Sequence, residues 1–157
     1  MSRLLGRSLP EAVRQKIGFR PETMGKAVLL ITIDEVGFPH TAMLSFREVA
    51  AKDTERLRFC LSGSSRTSEN LRQRRKAALL LIDEGSAYYI KGVAKELKAS
   101  IKGFPDLALF ELTIEEVLED EKPDFPITSG IQFKPPEDPG YFELGKSMAQ
   151  ALKSIHQ

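Results

Sequence analysis

The chain has 157 residues, 41% of them hydrophobic and 29% charged, with a formal net charge of +1. That balance belongs to an ordinary globular protein, read as one domain over residues 1–157, and it gives no global pull toward nucleic acid or an acidic membrane. The single cysteine, Cys60, excludes an internal disulfide framework and a thiolate zinc site, and it fits a reducing cytosol.

The start, Met1 to Arg7, has no apolar run long enough for a signal peptide, and no later stretch approaches a membrane span. A soluble, cytoplasmic protein with no membrane partner is expected. Ser8-Leu9-Pro10-Glu11 then opens a short helix: Ser8 can cap, Pro10 suits the first turn and Glu11 favours the positive end. Leu9, Val13 and Ile17 form its apolar stripe, and Gly18 stops it.

Residues 27–33 are rich in β-branched side chains and apolar on both parities, as in a strand buried on two sides. Residues 34–39 are turn chemistry, and 40–46 return as a second strand. Beyond the charged loop at 52–55, residues 56–61 predict a third strand. Ser62-Gly63-Ser64-Ser65 breaks it, and a helix is expected over 66–74.

Residues 76–83 and 87–97 predict two more strands around the turn Glu84-Gly85-Ser86, with Gly92 marking a bulge or a close backbone approach. After a break at Phe104-Pro105-Asp106, residues 109–117 alternate, with Phe110, Leu112 and Ile114 against Glu111, Thr113 and Glu115. That is the pattern of a strand with one wet face. Residues 120–139 are irregular, with an extended piece at 127–133. Leu144, Met148, Ala151, Leu152 and Ile155 then mark an amphipathic terminal helix. Five or six strands, three helices and hairpin-length loops favour an antiparallel barrel with peripheral helices over a βαβ sheet.

The segment from Leu61 to Leu71 carries the chemistry. A strand ends in a loop of hydroxyls and a helix starts at once, so the first-turn amides point at whatever lies in front of them. Ser64, Ser65 and Thr67 add donors, and Arg66 adds a planar cation suited to phosphate oxygens. Arg66, Arg72, Arg74, Arg75 and Lys76 stand against the lone acid Glu69, a local basic patch on a nearly neutral chain. The plainer alternative is a capped helix with a solvated charged face. A Walker-type phosphate loop is excluded at this position for want of a Gly-Lys-Ser/Thr ending.

Taken in order, Ile31-Thr32-Ile33-Asp34 with Gly37-Phe38-Pro39-His40, Ser64-Ser65-Arg66-Thr67 with Asn70-Leu71, Ala77 to Leu81, and Tyr89-Ile90-Lys91-Gly92-Val93-Ala94 form a set. Over about residues 27–118 the chain resembles the pyridoxamine 5'-phosphate oxidase-like FMN-binding split barrels, in their small-flavoprotein branch. The resemblance implies a mainly β, six-stranded antiparallel Greek-key split barrel that forms a homodimer, with FMN at the interface. It matches Ser65 and Arg66 to the Ser-Arg pair that holds the FMN phosphate, and it puts Thr67 where the oxidase branch usually has a lysine. It runs the backbone of Ala42, Met43, Leu44 and Ser45 past the isoalloxazine, sets Leu61 beside the ring, and brings Asn70 to the phosphate or ribityl chain.

The departures bear on substrate. Ala42 stands where the oxidase proper has an arginine. The chain has no tryptophan, and it lacks the oxidase's late arginine–histidine pair. These absences argue against vitamin B6 oxidation. The resemblance therefore implies an FMN-dependent oxidoreductase of flavin-reductase type, taking electrons from a small-molecule donor such as NAD(P)H. The alternatives are a non-catalytic flavin-binding or sensing module, and a reductase that uses F420.

No catalytic acid or base and no metal site can be picked out from spacing. His40 stands near the expected ring edge as a contact or proton donor, or simply as a surface residue; His156 is expected in solvent. Cys60 reads as a small core hydrophobe. Of Tyr88 and Tyr89, one should point inward and one outward, the outer ring onto a dimer surface. Residues 126–131 either lie over a partner's flavin or form a plain loop.

Overall fold

A computed structural model of the chain describes residues 2–154. Its first half runs through β1 (Arg3–Gly6), α1 (Glu11–Lys16), β2 (Ala27–Ile33), β3 (Pro39–Ser45), β4 (Val49–Ala51) and β5 (Arg56–Ser62). Then come α2 (Arg66–Arg74), β6 (Lys76–Asp83), β7 (Ser86–Lys98), β8 (Leu107–Asp120) and α3 (Pro139–Ser154). Every strand pairing is antiparallel, in the order β3-β2-β6-β7-β8-β5-β4, with β1 added along the second half of β8. The expected six strands are the long ones; β1 and β4 are short additions. A turn at Phe46–Glu48 ties β3 to β4, and Ser45 caps it by giving its amide and hydroxyl to Glu48 Oε2 at 2.6 and 2.9 Å.

Alternation along each strand sends one parity inward. Val28, Leu30, Leu57, Phe59, Leu79, Leu81, Tyr88, Ile90, Phe110 and Leu112 meet in one buried cluster. Leu9, Val13 and Ile17 close it from the α1 side, but only Val13 lies in the helix: Pro10 rather than Ser8 is its N-cap and Ile17 is already extended; Leu71 closes it from α2. The inward parity of β8 changes midway. Lys91 pairs with Glu116 but Gly92 with Ile114, so Glu115 is the extra residue of a bulge. Inward side chains therefore run Phe110, Leu112, Ile114 and then Val117 and Glu119. A Cβ on Gly92 would sit 2.1 Å from the Thr113 carbonyl oxygen, so this position is both bulge and close approach.

The wet-face reading of β8 needs correction. Thr113 and Glu115 are exposed, but Glu111 is buried. Below it, Ala50, Cys60, Ile101 and Leu109 form a second apolar cluster under Met148 and Leu152 of α3. Arg58, also buried, gives its Nε to Glu111 Oε2 at 3.0 Å and an Nη to the Leu152 carbonyl at 3.1 Å. Charge is tolerated there because it is paired. Residues 127–133 are extended but form no strand: Ala27 N donates to the Ile131 carbonyl at 3.1 Å, and Phe133 N to that of Gly25 at 2.7 Å. Met1, Ile155 and His156 lie outside the described residues.

Candidate cofactor groove

At the front of α2, Ser65 is the N-cap: its Oγ accepts the Ser68 amide at 3.1 Å, and its carbonyl accepts Glu69 N at 3.1 Å. Ser68 in turn gives its hydroxyl to the Ser62 carbonyl at 2.7 Å, which fixes the loop. The capping reading of the serines is therefore correct for Ser65, and it does not consume every donor. The amides of Arg66 and Thr67 are left without an acceptor among the described residues. An open groove of about 410 Å³ at this helix start is lined by Ser64, Ser65, Arg66 and Arg72 and by the carboxylates Glu35 and Glu69.

The five-cation patch divides into unlike parts. Arg72 binds Glu96 at 2.6 Å and the Gly63 carbonyl at 2.8 Å. Arg74 gives its Nε to the Ile33 carbonyl at 2.7 Å. Arg75 is the left-handed C-cap of α2, with φ 64°, and its carbonyl accepts Ala94 N at 2.6 Å. Arg66 and Arg75 are both exposed with no side-chain partner among the described residues, and of the two only Arg66 lines the groove.

Other expected contacts sit differently. Asn70 is buried: its Nδ2 donates to Thr32 Oγ1 at 3.0 Å and its Oδ1 accepts Arg74 at 3.0 Å. It fastens α2 to β2. Thr67 is turned to the buried side of the helix, which leaves its amide as the group it offers forward. The Leu61 side chain belongs to the interior cluster. Burial makes these placements non-local, so strand–helix spacing alone does not reveal them.

β3 is an end strand of the sheet, with one edge unpaired. Asp34 N donates to the Phe38 carbonyl and Phe46 N to that of Lys26, so the even residues of β3 bond to β2. Thr41, Met43 and Ser45 therefore turn their amides and carbonyls outward. The Ser45 amide is taken by Glu48, which leaves Thr41 and Met43 as the free edge. Of the expected segment from Ala42 to Ser45, Ala42 and Leu44 spend their backbone groups on β2. Met43, Leu44 and Ser45 border a second groove of about 240 Å³.

The outer face of β2, β3 and β6 carries apolar side chains with no described element packed over them. Leu29 pairs with Leu80 and Met43, and Ile31 with Ala78, all half-buried or exposed. Ile31, Ile33 and Ala78 line an open groove of about 280 Å³ together with the charged Lys76, Lys91 and Glu115. Tyr88 points inward. Tyr89 lies on the outer face and gives its hydroxyl to Asp120 at 2.7 Å. Val36 and Phe38 extend the apolar surface to the β2–β3 hairpin, and Phe125, 79% exposed, extends it past Tyr89.

His40 is half-buried on the parity of Ala42 and Leu44. Burial pushes the Cys60 thiol up to about 12, which suits a core residue and not a nucleophile. A phosphate-loop spelling does occur elsewhere in the chain: Gly140 to Ser147 reads Gly-x-x-x-x-Gly-Lys-Ser. It lies wholly inside α3, where Asp138 takes the amides of Gly140 and Tyr141 and those from Glu143 onward go to helical bonds. Gly145 is there to admit Phe19, whose ring would meet a Cβ at 2.7 Å. Among the described residues no group of His, Cys, Asp and Glu could hold a metal, and no helix is long and apolar enough to cross a membrane.

No family model matches the sequence. The chain is 32% identical over 119 residues to the uncharacterised protein YclD of Bacillus subtilis strain 168, covering 74% of this chain and 77% of that one. Its fold is similar to that of a candidate pyridoxamine 5'-phosphate oxidase from Lactobacillus delbrueckii, with a TM-score of 0.61 and 22% identity over 74% of this chain and 98% of that one. It is also similar to an F420 reductase, with a TM-score of 0.53 and 14% identity over 73% of this chain and all of the other, 100%.

Proposed function

The chain belongs to the family of YclD and has the split-barrel fold of the pyridoxamine 5'-phosphate oxidase-like proteins, and on that premise we propose that it is an FMN-binding oxidoreductase of flavin-reductase type. The observation that carries this reading is Arg66: an unpaired guanidinium beside two free helix-terminal amides, at the mouth of a groove wide enough for a nucleotide tail.

In this reading Arg66 and the amides of Arg66 and Thr67 hold the flavin phosphate, while Ser65 and Asn70 keep the helix start in place. Thr41 and Met43 offer a donor and an acceptor each to the polar edge of the ring. The apolar outer face packs on a second copy, so the flavin lies where two subunits meet. The flavin supplies hydride or electron chemistry when bound, and the protein supplies its seat, its orientation and the exclusion of water. A donor such as NAD(P)H reaches the ring from the open side.

Mass analysis of the molecule that copurifies with the chain tests the cofactor. FMN supports the reading, and F420 transfers it to the deazaflavin reductases. A colourless protein that refuses added FMN overturns it and favours a non-catalytic module. Arg66→Ala should stay folded and bind FMN about 10- to 100-fold more weakly, the loss of one charge-assisted contact worth about 1.5–3 kcal/mol.

A further inference from the structure

The groove beside the end of β3 has an unusual electrostatic floor. Arg47 lies against the Tyr141 ring of α3, its guanidinium carbon 3.8 Å from the ring centroid, and gives one Nη to the Tyr141 carbonyl at 3.2 Å. Its Nε is buried and has no hydrogen-bond partner among the described residues. Just behind is a small, partly open cavity of about 10 Å³, room for one water-sized group, lined by Arg47 and Arg20 together. Arg20 gives one Nη to the Arg14 carbonyl at 3.3 Å, and its Nε is likewise buried and unbonded.

Neither arginine has a carboxylate partner among the described residues, although acids are as common as bases in this chain. The nearest acid lining the groove, Glu48, turns its Oε2 to the amide and hydroxyl of Ser45. Two half-buried guanidiniums sharing one cavity repel each other and leave donors unsatisfied. An oxyanion seated on Arg47 in the larger groove, with at most one oxygen reaching the small cavity shared with Arg20, offsets both costs.

We infer that this groove is an oxyanion site, taking the carboxylate or phosphate group of a small molecule on Arg47, with Arg20 reinforcing it from behind. The body of that molecule lies in the 240 Å³ groove between Met43 and Tyr141. Met43 also borders the edge assigned above to the flavin ring. That the bound molecule is the substrate rests on the flavin reading; that the groove binds an oxyanion does not. A substrate of acidic character follows, distinct from the cofactor's own phosphate at Arg66.

The test uses the full chain, with and without FMN, and benzoate and inorganic phosphate as probes. Saturable binding is followed by calorimetry. Binding of at least one probe is expected in both forms. It should weaken by about tenfold or more in Arg47→Gln, weaken less in Arg47→Lys, and persist in Arg66→Ala. In the unaltered chain, the bound probe should also protect Arg47 from phenylglyoxal, which keeps the test available if a variant misfolds. Absence of probe binding, binding unchanged in folded Arg47→Gln, or no protection of Arg47 overturns the inference. If FMN fails to bind while probe binding still depends on Arg47, the flavin reading falls and the oxyanion site stands.

Discussion

Asn70 Nδ2 donates to Thr32 Oγ1 across 3.0 Å, and this buried contact sets the distance between α2 and the sheet. Both side chains are enclosed, so removing one leaves the other without its partner. Asn70→Ala should cost about 1–3 kcal/mol in chemical denaturation. It should also weaken FMN binding without touching the nucleotide, because the helix start moves with it. Unchanged stability would show that the contact does not hold the helix.

The bulge in β8 gives a second expectation. Gly92→Ala puts a methyl group 2.1 Å from the Thr113 carbonyl oxygen, backbone against backbone, and the two strands must part. A loss of about 3 kcal/mol or more, or failure to accumulate as soluble protein, is expected. Gly63→Ala is the control: its nearest neighbour is the Ala99 carbonyl oxygen at 3.6 Å, so the substitution should change stability little. Comparing the melting temperatures of the two variants decides the matter.

Asp83 contributes to the acid limb of stability, alongside Asp53 and Glu119, which are also held low. Burial raises its carboxyl, but hydrogen bonds from Lys26, the Glu84 amide and Lys16 outweigh that and hold it below the usual range. Lys26 Nζ lies 2.9 Å from Oδ1, and Lys16 Nζ 3.2 Å from Oδ2. A folded value below the unfolded one means the stabilisation is complete above the unfolded value of about 4 and is lost as pH falls through the folded value. Asp83→Asn should be less stable than the unaltered chain at neutral pH by about 1–3 kcal/mol. The gap should narrow below about pH 4 in a pH series of thermal melts. A constant gap would place the stabilisation elsewhere.

The uncovered face of the sheet predicts assembly. Ile31 is half-buried in the single chain, and no other element lies over its groove. Ile31→Glu should leave the melting transition of the subunit nearly intact and convert dimer to monomer in sedimentation velocity. Leu4→Glu, at an apolar and more exposed site on β1, should not. A wild-type chain that sediments as a monomer would remove the interface altogether.

The legible parts of this molecule are those with local causes. Residues 27–33 are apolar on both parities because β2 has the core on one side and the uncovered face on the other. Ser65 and Arg66 could be placed because a cap and a helix start are matters of neighbouring residues. β1 and β4, with four and three residues, are too short to carry alternation. Glu111 read as wet because its partner Arg58 and its cover, α3, are distant in sequence. Asn70 and Leu61 were expected at the cofactor and are instead turned inward, a choice made by packing across strands. The Gly-Lys-Ser spelling at 145–147 is the converse lesson: the letters of a loop, written on a helix.

The bare edge of β3 has a cost for any chain left alone. Thr41 and Met43 hold out unfilled backbone groups next to a greasy sheet surface, which is how one strand templates the addition of another. A chain whose edge stays bare should therefore add further copies strand to strand, and a concentration series in sedimentation velocity would show this as species larger than a closed pair.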